Sequence, residues 1–282
     1  IKVPTEKSEY IIPLLEQVKK MFGNPLALVR DMGTAISRAI ETVFPKKPDF
    51  ICHYHFLSDI GGDLLEDDYA MIRKRLKKHG ITAKLHRLER KLREQLNDNP
   101  DIIDMVTPKM DNPNLFDPEH LGRLPLASTF MLIEWILDGK NQGHGYGFPF
   151  DRVHAVFTQR LYEGYKKIQG FKKVYLRGNW RDNKPLWKLS NALEAVCSDK
   201  LLRQAVNNLQ IKAEVFDQLR DAMRIAPESG SDGLNSDSGN EDMDTIKKGV
   251  EQFRQEMTSD PQYTGQSHYK KMALLRKSWW KT

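Results

Sequence analysis

The chain has 282 residues, 39% hydrophobic and 29% charged, with a mean hydropathy of -0.60 and a net charge of +6, which suits one large or two modest domains with a polar surface. A helical membrane span needs roughly 20 apolar residues, and the most apolar stretch, Leu126 to Leu137, is broken by Ser128, Thr129 and Glu134, so the sequence excludes one and predicts no membrane partner. Cys52 and Cys197 are the only cysteines, too few for a disulfide framework or a four-thiolate zinc site, and they predict a reducing, cytoplasmic setting.

Ser8 to Phe22 carries apolar residues at Ile11, Ile12, Leu15, Val18 and Phe22, a helical spacing that Gly23-Asn24-Pro25 stops. The short apolar run Leu26 to Val29 then predicts a strand buried on both faces. Thr34 is placed to cap a helix through Ile36, Ala39, Ile40 and Val43 that ends at Pro45, and Phe50 to Phe56 reads as a second strand. Helix, strand, helix and strand in that order imply a parallel sheet with right-handed crossovers. From about Gly61 the texture turns helical: Tyr69 to Lys78, a stripe of Leu85, Leu88, Leu92 and Leu96, the buried Leu126 to Leu137, then Val153 to Ile168 and Leu186 to Ile225. Asn97 to Asp117 predicts a loop. Glu228 to Asp244 holds six acids and no Lys or Arg, and predicts a disordered linker ahead of C-terminal helices. The organisation expected is therefore a small α/β part over 1–60, a helical part over 61–227, the linker over 228–244 and helices over 245–282. Ile1 in place of Met, and a C-terminus without a cap, lead to the expectation that the chain is an internal fragment.

Outside the acidic linker the chain is decidedly basic. Between Arg73 and Arg93 lie ten basic residues, Arg73, Lys74, Arg75, Lys77, Lys78, Lys84, Arg87, Arg90, Lys91 and Arg93, against one acid, Glu89. Such density suits a phosphate backbone, and equally a solvated helix face. Asp31 stands where a strand gives way to a helix, the rim of a sheet at which a carboxylate can hold Mg²⁺ or cap the helix. Cys52, His53 and His55 offer three zinc ligands at most, and no zinc is expected; as strand residues Cys52 and His55 face opposite ways, and they converge only if a helix starts there. Gly143, Gly145 and Gly147 lack the Gly-Lys-Ser/Thr ending of a phosphate loop, and Asp151 reads as the cap of the next helix. Glu194 reads as solvent-facing. Trp279 and Trp280 beside Arg276 and Lys277 read as a core-facing helix end before they read as a base-stacking platform.

The run from Gly23 through Asp31, with Ala39-Ile40, Val43-Phe44-Pro45 and then Cys52-His-Tyr-His55-Phe-Leu, resembles the DDE transposases of the Mutator-like and related insertion-sequence groups. The resemblance covers roughly the first 60 residues, and the helical remainder, including Gly147-Phe-Pro-Phe-Asp151, is similar to the helical insertion of such enzymes. It implies part of an RNase H-like core in which Asp31 is the second of three carboxylates holding Mg²⁺ or Mn²⁺ for in-line cleavage and transfer of DNA strands. It also implies that Cys52 and His55 support the insertion, that the partner is double-stranded DNA at transposon ends, and that the protein oligomerises on DNA in the nucleoid. The first carboxylate would precede Ile1 and the third would follow Thr282, so this chain alone would be inactive. The alternative is a non-catalytic basic DNA-binding protein or a domesticated transposase remnant.

Overall fold

The computed structural model of the protein describes residues 5–97, 125–175, 184–223, 225 and 243–259. Helix α1 (Ser8–Phe22), strand β1 (Leu28–Arg30), helix α2 (Thr34–Val43) and strand β2 (Asp49–Ile51) follow in the expected order, and the strands pair parallel with Val29 opposite Phe50. Helix α1 packs on α2, whose Ala39, Ile40 and Val43 are buried at helical spacing. Lys19 ties the two together by donating to the carbonyl of Val43 at 2.7 Å, where a cation meets the negative end of a helix. Across the strands Arg30 and Asp49 form an ion pair at 2.8 Å.

Two expectations about the strands give way. The first strand is not buried on both faces: Val29 is 70% exposed and its partner Phe50 47%. Successive residues of a strand alternate sides, so Leu28 and Arg30, like Asp49 and Ile51, are half-buried while Val29 and Phe50 face outward. A continuous apolar run cannot distinguish a two-sided core from a strand with one open face. The second strand stops at Ile51 instead of Phe56, because helix α3 (His53–His79) starts at His53 and buries Phe56 and Leu57 in step with Leu64 and Leu65. Helix α3 thus reaches far ahead of the expected start at Tyr69 and runs through Gly61 and Gly62. Among the described residues the chain is mostly helical with one two-stranded parallel sheet, and the further strands of an RNase H-like core are not found there.

The chain divides into two compact units, Leu65–Ala213 and a second made of Ile1–Leu64 with Glu214–Thr282. The expected boundary after residue 60 and the observed one after Leu64 lie in α3; the other falls before Glu214, where 227 was expected. In the Leu65–Ala213 unit α4 (Ile81–Asn97) packs on α5 (Pro125–Asp138) and α7 (Lys184–Cys197), while α6 (Val153–Tyr175) packs on α5 and α7. Leu85, Leu132, Ile133, Ile136, Phe157, Leu161, Leu189 and Leu193 are fully buried between them. Each such side chain contributes about 1.5–3 kcal/mol.

Helix α8 (Lys200–Ala222) is fixed to α3 by polar ties at two levels. Lys212 pairs with Asp68 at 2.5 Å, and Asp199, just ahead of α8, pairs with Arg75 and His79. Because later residues of α3 meet earlier residues near α8, the two run antiparallel. In the other unit Gly249 of α9 (Met243–Ser259) lies against Ala222, with room for no side chain: a Cβ there would come 3.1 Å from the Ala222 carbonyl oxygen. The linker expected over 228–244 lies outside the described residues apart from Met243 and Asp244, which open α9. Residues 98–117 of the expected loop and the expected helix end with Arg276, Lys277, Trp279 and Trp280 also lie outside them.

Candidate nucleic-acid interface

The ten basic residues between Arg73 and Arg93 fall on two successive helices, the end of α3 and α4, joined by Gly80 alone. Gly80 adopts φ +58, a left-handed turn that glycine takes without cost, and its carbonyl accepts the amide of Lys84 so that α4 starts at once. On α3, Ile72 and Leu76 are buried, and Lys74, Lys77 and Lys78 stand exposed on the opposite face. On α4, Leu85, Leu92 and Leu96 are buried, and Lys84, Arg87 and Lys91 line one exposed face at i, i+3 and i+7, with Arg90 beside Arg87.

Three of the ten are already engaged. Arg73 pairs with Glu66 at 2.9 Å and lies over the Tyr69 ring. Arg75 binds the Asp199 carboxylate at 2.6 Å. Arg93 bridges Glu89 at 2.9 Å and Glu134 at 3.3 Å and lies over Phe130. The other seven, Lys74, Lys77, Lys78, Lys84, Arg87, Arg90 and Lys91, are exposed and make no ion pair among the described residues. Sequence alone separates the two groups only at Arg93, which stands four residues after Glu89; the other acids that take the three, Glu66, Glu134 and Asp199, lie outside the stretch.

Asp199 is the residue that sequence reasoning passed over. Its Oδ1 accepts the amides of Leu201 and Leu202, both at 3.1 Å, which caps α8, and its Oδ2 takes Arg75 and His79. Burial raises its pKa, but the bonds from His79, Arg75 and the Leu202 amide outweigh this and hold it at about 2. The signal present in the sequence was local, an Asp directly before Lys200-Leu-Leu. Glu134 was visible as the one acid within the apolar run Leu126 to Leu137. It lines a cleft of about 500 Å³ with Glu89, Trp135, Asp138 and Lys140. Burial and the neighbouring Glu89 raise the Glu134 pKa, while bonds from Arg93, His86 and Glu134 overcome burial to lower that of Glu89. Arg160 pairs with Asp138 at 3.0 Å, so the charges of this cleft largely answer one another.

Asp31 is exposed, and its Oδ1 accepts the amide of Gly33 at 3.0 Å. Gly33, and not Thr34, occupies the capping position of α2, so Asp31 closes the turn that leads into the helix. Cys52 ends the strand: its amide donates to the Arg30 carbonyl, and its own carbonyl accepts the Phe56 amide to begin α3. The helix start that would bring Cys52 and His55 to one side therefore exists. Among the described residues no group of three or more His, Cys, Asp or Glu is arranged to hold a metal ion. Asp31 offers one carboxylate, so a Mg²⁺ ion held there would take its remaining ligands from water, from a phosphate or from other residues.

The glycine-rich loop before α6 is organised by Asp151, which does not cap that helix but reaches back to accept the amides of His144 and Gly147, each at 2.8 Å. Burial raises the Asp151 pKa, and the amides of His144, Gly147 and Tyr146 more than reverse it. Loop amides that a phosphate would need are thus taken by the chain's own carboxylate. Glu194 is exposed on α7, as its sequence context predicts. No protein-family model matches the chain, and no curated protein or solved structure is significantly similar to it.

Proposed function

We propose that the chain is a DNA-binding part of a DDE-type transposase and grips double-stranded DNA through α3 and α4. The observation that carries the binding is the set of seven exposed cations, Lys74, Lys77, Lys78, Lys84, Arg87, Arg90 and Lys91, that no carboxylate among the described residues neutralises. An unpaired exposed cation releases counterions when it meets a phosphate, whereas one already paired must first give up its partner. In this reading the β1–α2–β2 unit belongs to an RNase H-like core, and strand cleavage with Mg²⁺ belongs to the parent protein. In this reading Asp31 is the one member of the carboxylate triad among the described residues.

One observation favours the second reading, a non-catalytic DNA-binding protein: one oxygen of the Asp31 carboxylate already accepts the Gly33 amide and so serves the turn into α2. The two readings share the interface and part at Asp31. Fluorescence anisotropy with a labelled duplex at low salt tests the interface. Arg87→Glu with Lys91→Glu should weaken binding at least tenfold, and absence of duplex binding by the unaltered chain overturns both readings. Loss of DNA cleavage by Asp31→Ala in the parent protein supports the transposase reading, and undiminished cleavage refutes it.

A further inference from the structure

We infer that this surface holds duplex DNA by its phosphate backbone alone and does not read base sequence, an inference that rests on the DNA-binding reading above. The side chains on offer are the argument. On the exposed faces of α3 from Met71 to His79 and of α4 as far as Arg93, the charged groups without an ion-pair partner among the described residues are lysine ammoniums and arginine guanidiniums, while exposed His86 lies 3.5 Å from Glu89. Helix α4 contains no Phe, Tyr or Trp on which an unpaired base would stack, and Tyr69 of α3 is buried at 4% exposure beneath Arg73. Single-stranded nucleic acid binds on such stacking platforms, so their absence from these faces favours the duplex.

Base-edge readout depends on a planar group brought into a groove, most often a bidentate Arg, Asn or Gln held in place by neighbours. Gln95 is the one amide on α4 whose side chain is described, and it sits beside exposed Glu94, which repels a phosphate and closes the stripe at that end. Arg93 is the arginine of α4 that neighbours do hold, and it is held toward Glu89 and Glu134. Arg87 and Arg90 have no such support, and unsupported long side chains suit the diffuse attraction of a backbone better than the fixed geometry of a base contact. Along α4, Lys84, Arg87 and Lys91 rise by about 4.5 and 6 Å from one to the next, so three cations follow one line along the helix. The choice of a particular DNA end would then be made by something other than this face.

The test measures affinity of the full chain for three probes of equal length: two duplexes of unrelated sequence and equal base composition, and one single strand. Affinities for the two duplexes should agree within about threefold, exceed that for the single strand, and fall about 10³-fold between 50 and 200 mM salt if six phosphates are neutralised. Replacing Lys84, Arg87 and Lys91 together by Gln should weaken both duplexes equally and make the logarithmic salt slope shallower by about 3. Far-ultraviolet circular dichroism checks that the variant keeps its helices, and retained helicity is expected because all three side chains are exposed. A preference of tenfold or more for one duplex, or for the single strand, overturns the inference while leaving nucleic-acid binding intact. No binding to any probe overturns the reading beneath it as well.

Discussion

Asp199 illustrates how one carboxylate can fix two helices. It satisfies the free amides at the start of α8 with one oxygen and the cations of α3 with the other. A buried charge taken from water is costly unless fully answered, and this one is answered on every side. Asp199→Asn keeps an oxygen for the cap and loses the ionic part, so it should cost about 2–3 kcal/mol by denaturant unfolding, and Asp199→Ala about 1 kcal/mol more. The same logic sets the pH dependence. The folded pKa of about 2 lies below the ordinary 3.8, so the ionised form contributes about 2 kcal/mol in full above pH 4 and loses it as pH falls toward 2. The stability gap between the unaltered chain and Asp199→Asn should therefore narrow across that window, and a gap constant from pH 6 to pH 2.5 would contradict the assignment. Asp151 acts in a smaller compass. Asp151→Ala should leave the His144 and Gly147 amides without their acceptor, which hydrogen exchange would read as lost protection at those two positions, with a stability cost of about 1–3 kcal/mol.

Among the elements, glycines separate close packing from mere permissiveness. A Cβ added at Gly139, at the end of α5, would meet the Ile136 carbonyl and the Phe157 Cα at 3.1 Å each, which are backbone atoms that cannot swing aside. Gly139→Ala should therefore cost about 1–3 kcal/mol. Gly62, inside α3, has nothing within 4 Å of such a Cβ, and Gly62→Ala should stabilise by about 0.5–1 kcal/mol through helix propensity. Thermal unfolding of the two variants should shift in opposite directions. The helices themselves were legible because Leu85, Leu92 and Leu96, or Leu189, Leu193 and Val196, repeat at the spacing that one packed face requires. What escaped was information that spacing does not carry. Phe50 to Phe56 is β-prone residue by residue, yet Phe56 and Leu57 gain more by joining the buried stripe of α3 than by extending β2. Val29 reads as core from its neighbours in sequence and is mostly exposed in the fold; Val29→Thr should accordingly change stability by less than about 0.5 kcal/mol, where a strand buried on both faces would lose far more.

For the molecule as a whole, the question is whether metal and DNA act through one site or two. The cations proposed to hold DNA lie on α3 and α4 within Leu65–Ala213, whereas Asp31 belongs to the other unit. One oxygen of Asp31 accepts the Gly33 amide, and no group of three or more His, Cys, Asp or Glu among the described residues is arranged to hold a metal ion. Two consequences separate electrostatic gripping from metal-mediated binding in this chain. Millimolar Mg²⁺ should weaken duplex binding, because a divalent ion competes for phosphates as a counterion. Asp31→Ala should leave the duplex affinity within about twofold of the unaltered chain, with or without Mg²⁺, while Arg87→Glu with Lys91→Glu lowers it in both conditions. The opposite pattern, in which Mg²⁺ tightens binding and Asp31→Ala abolishes the gain, would require that Asp31 hold the metal together with further ligands. Titrations of the two variants in chelator and in Mg²⁺ distinguish these outcomes directly, because gripping by the cations and bridging by a metal respond to the divalent ion with opposite signs.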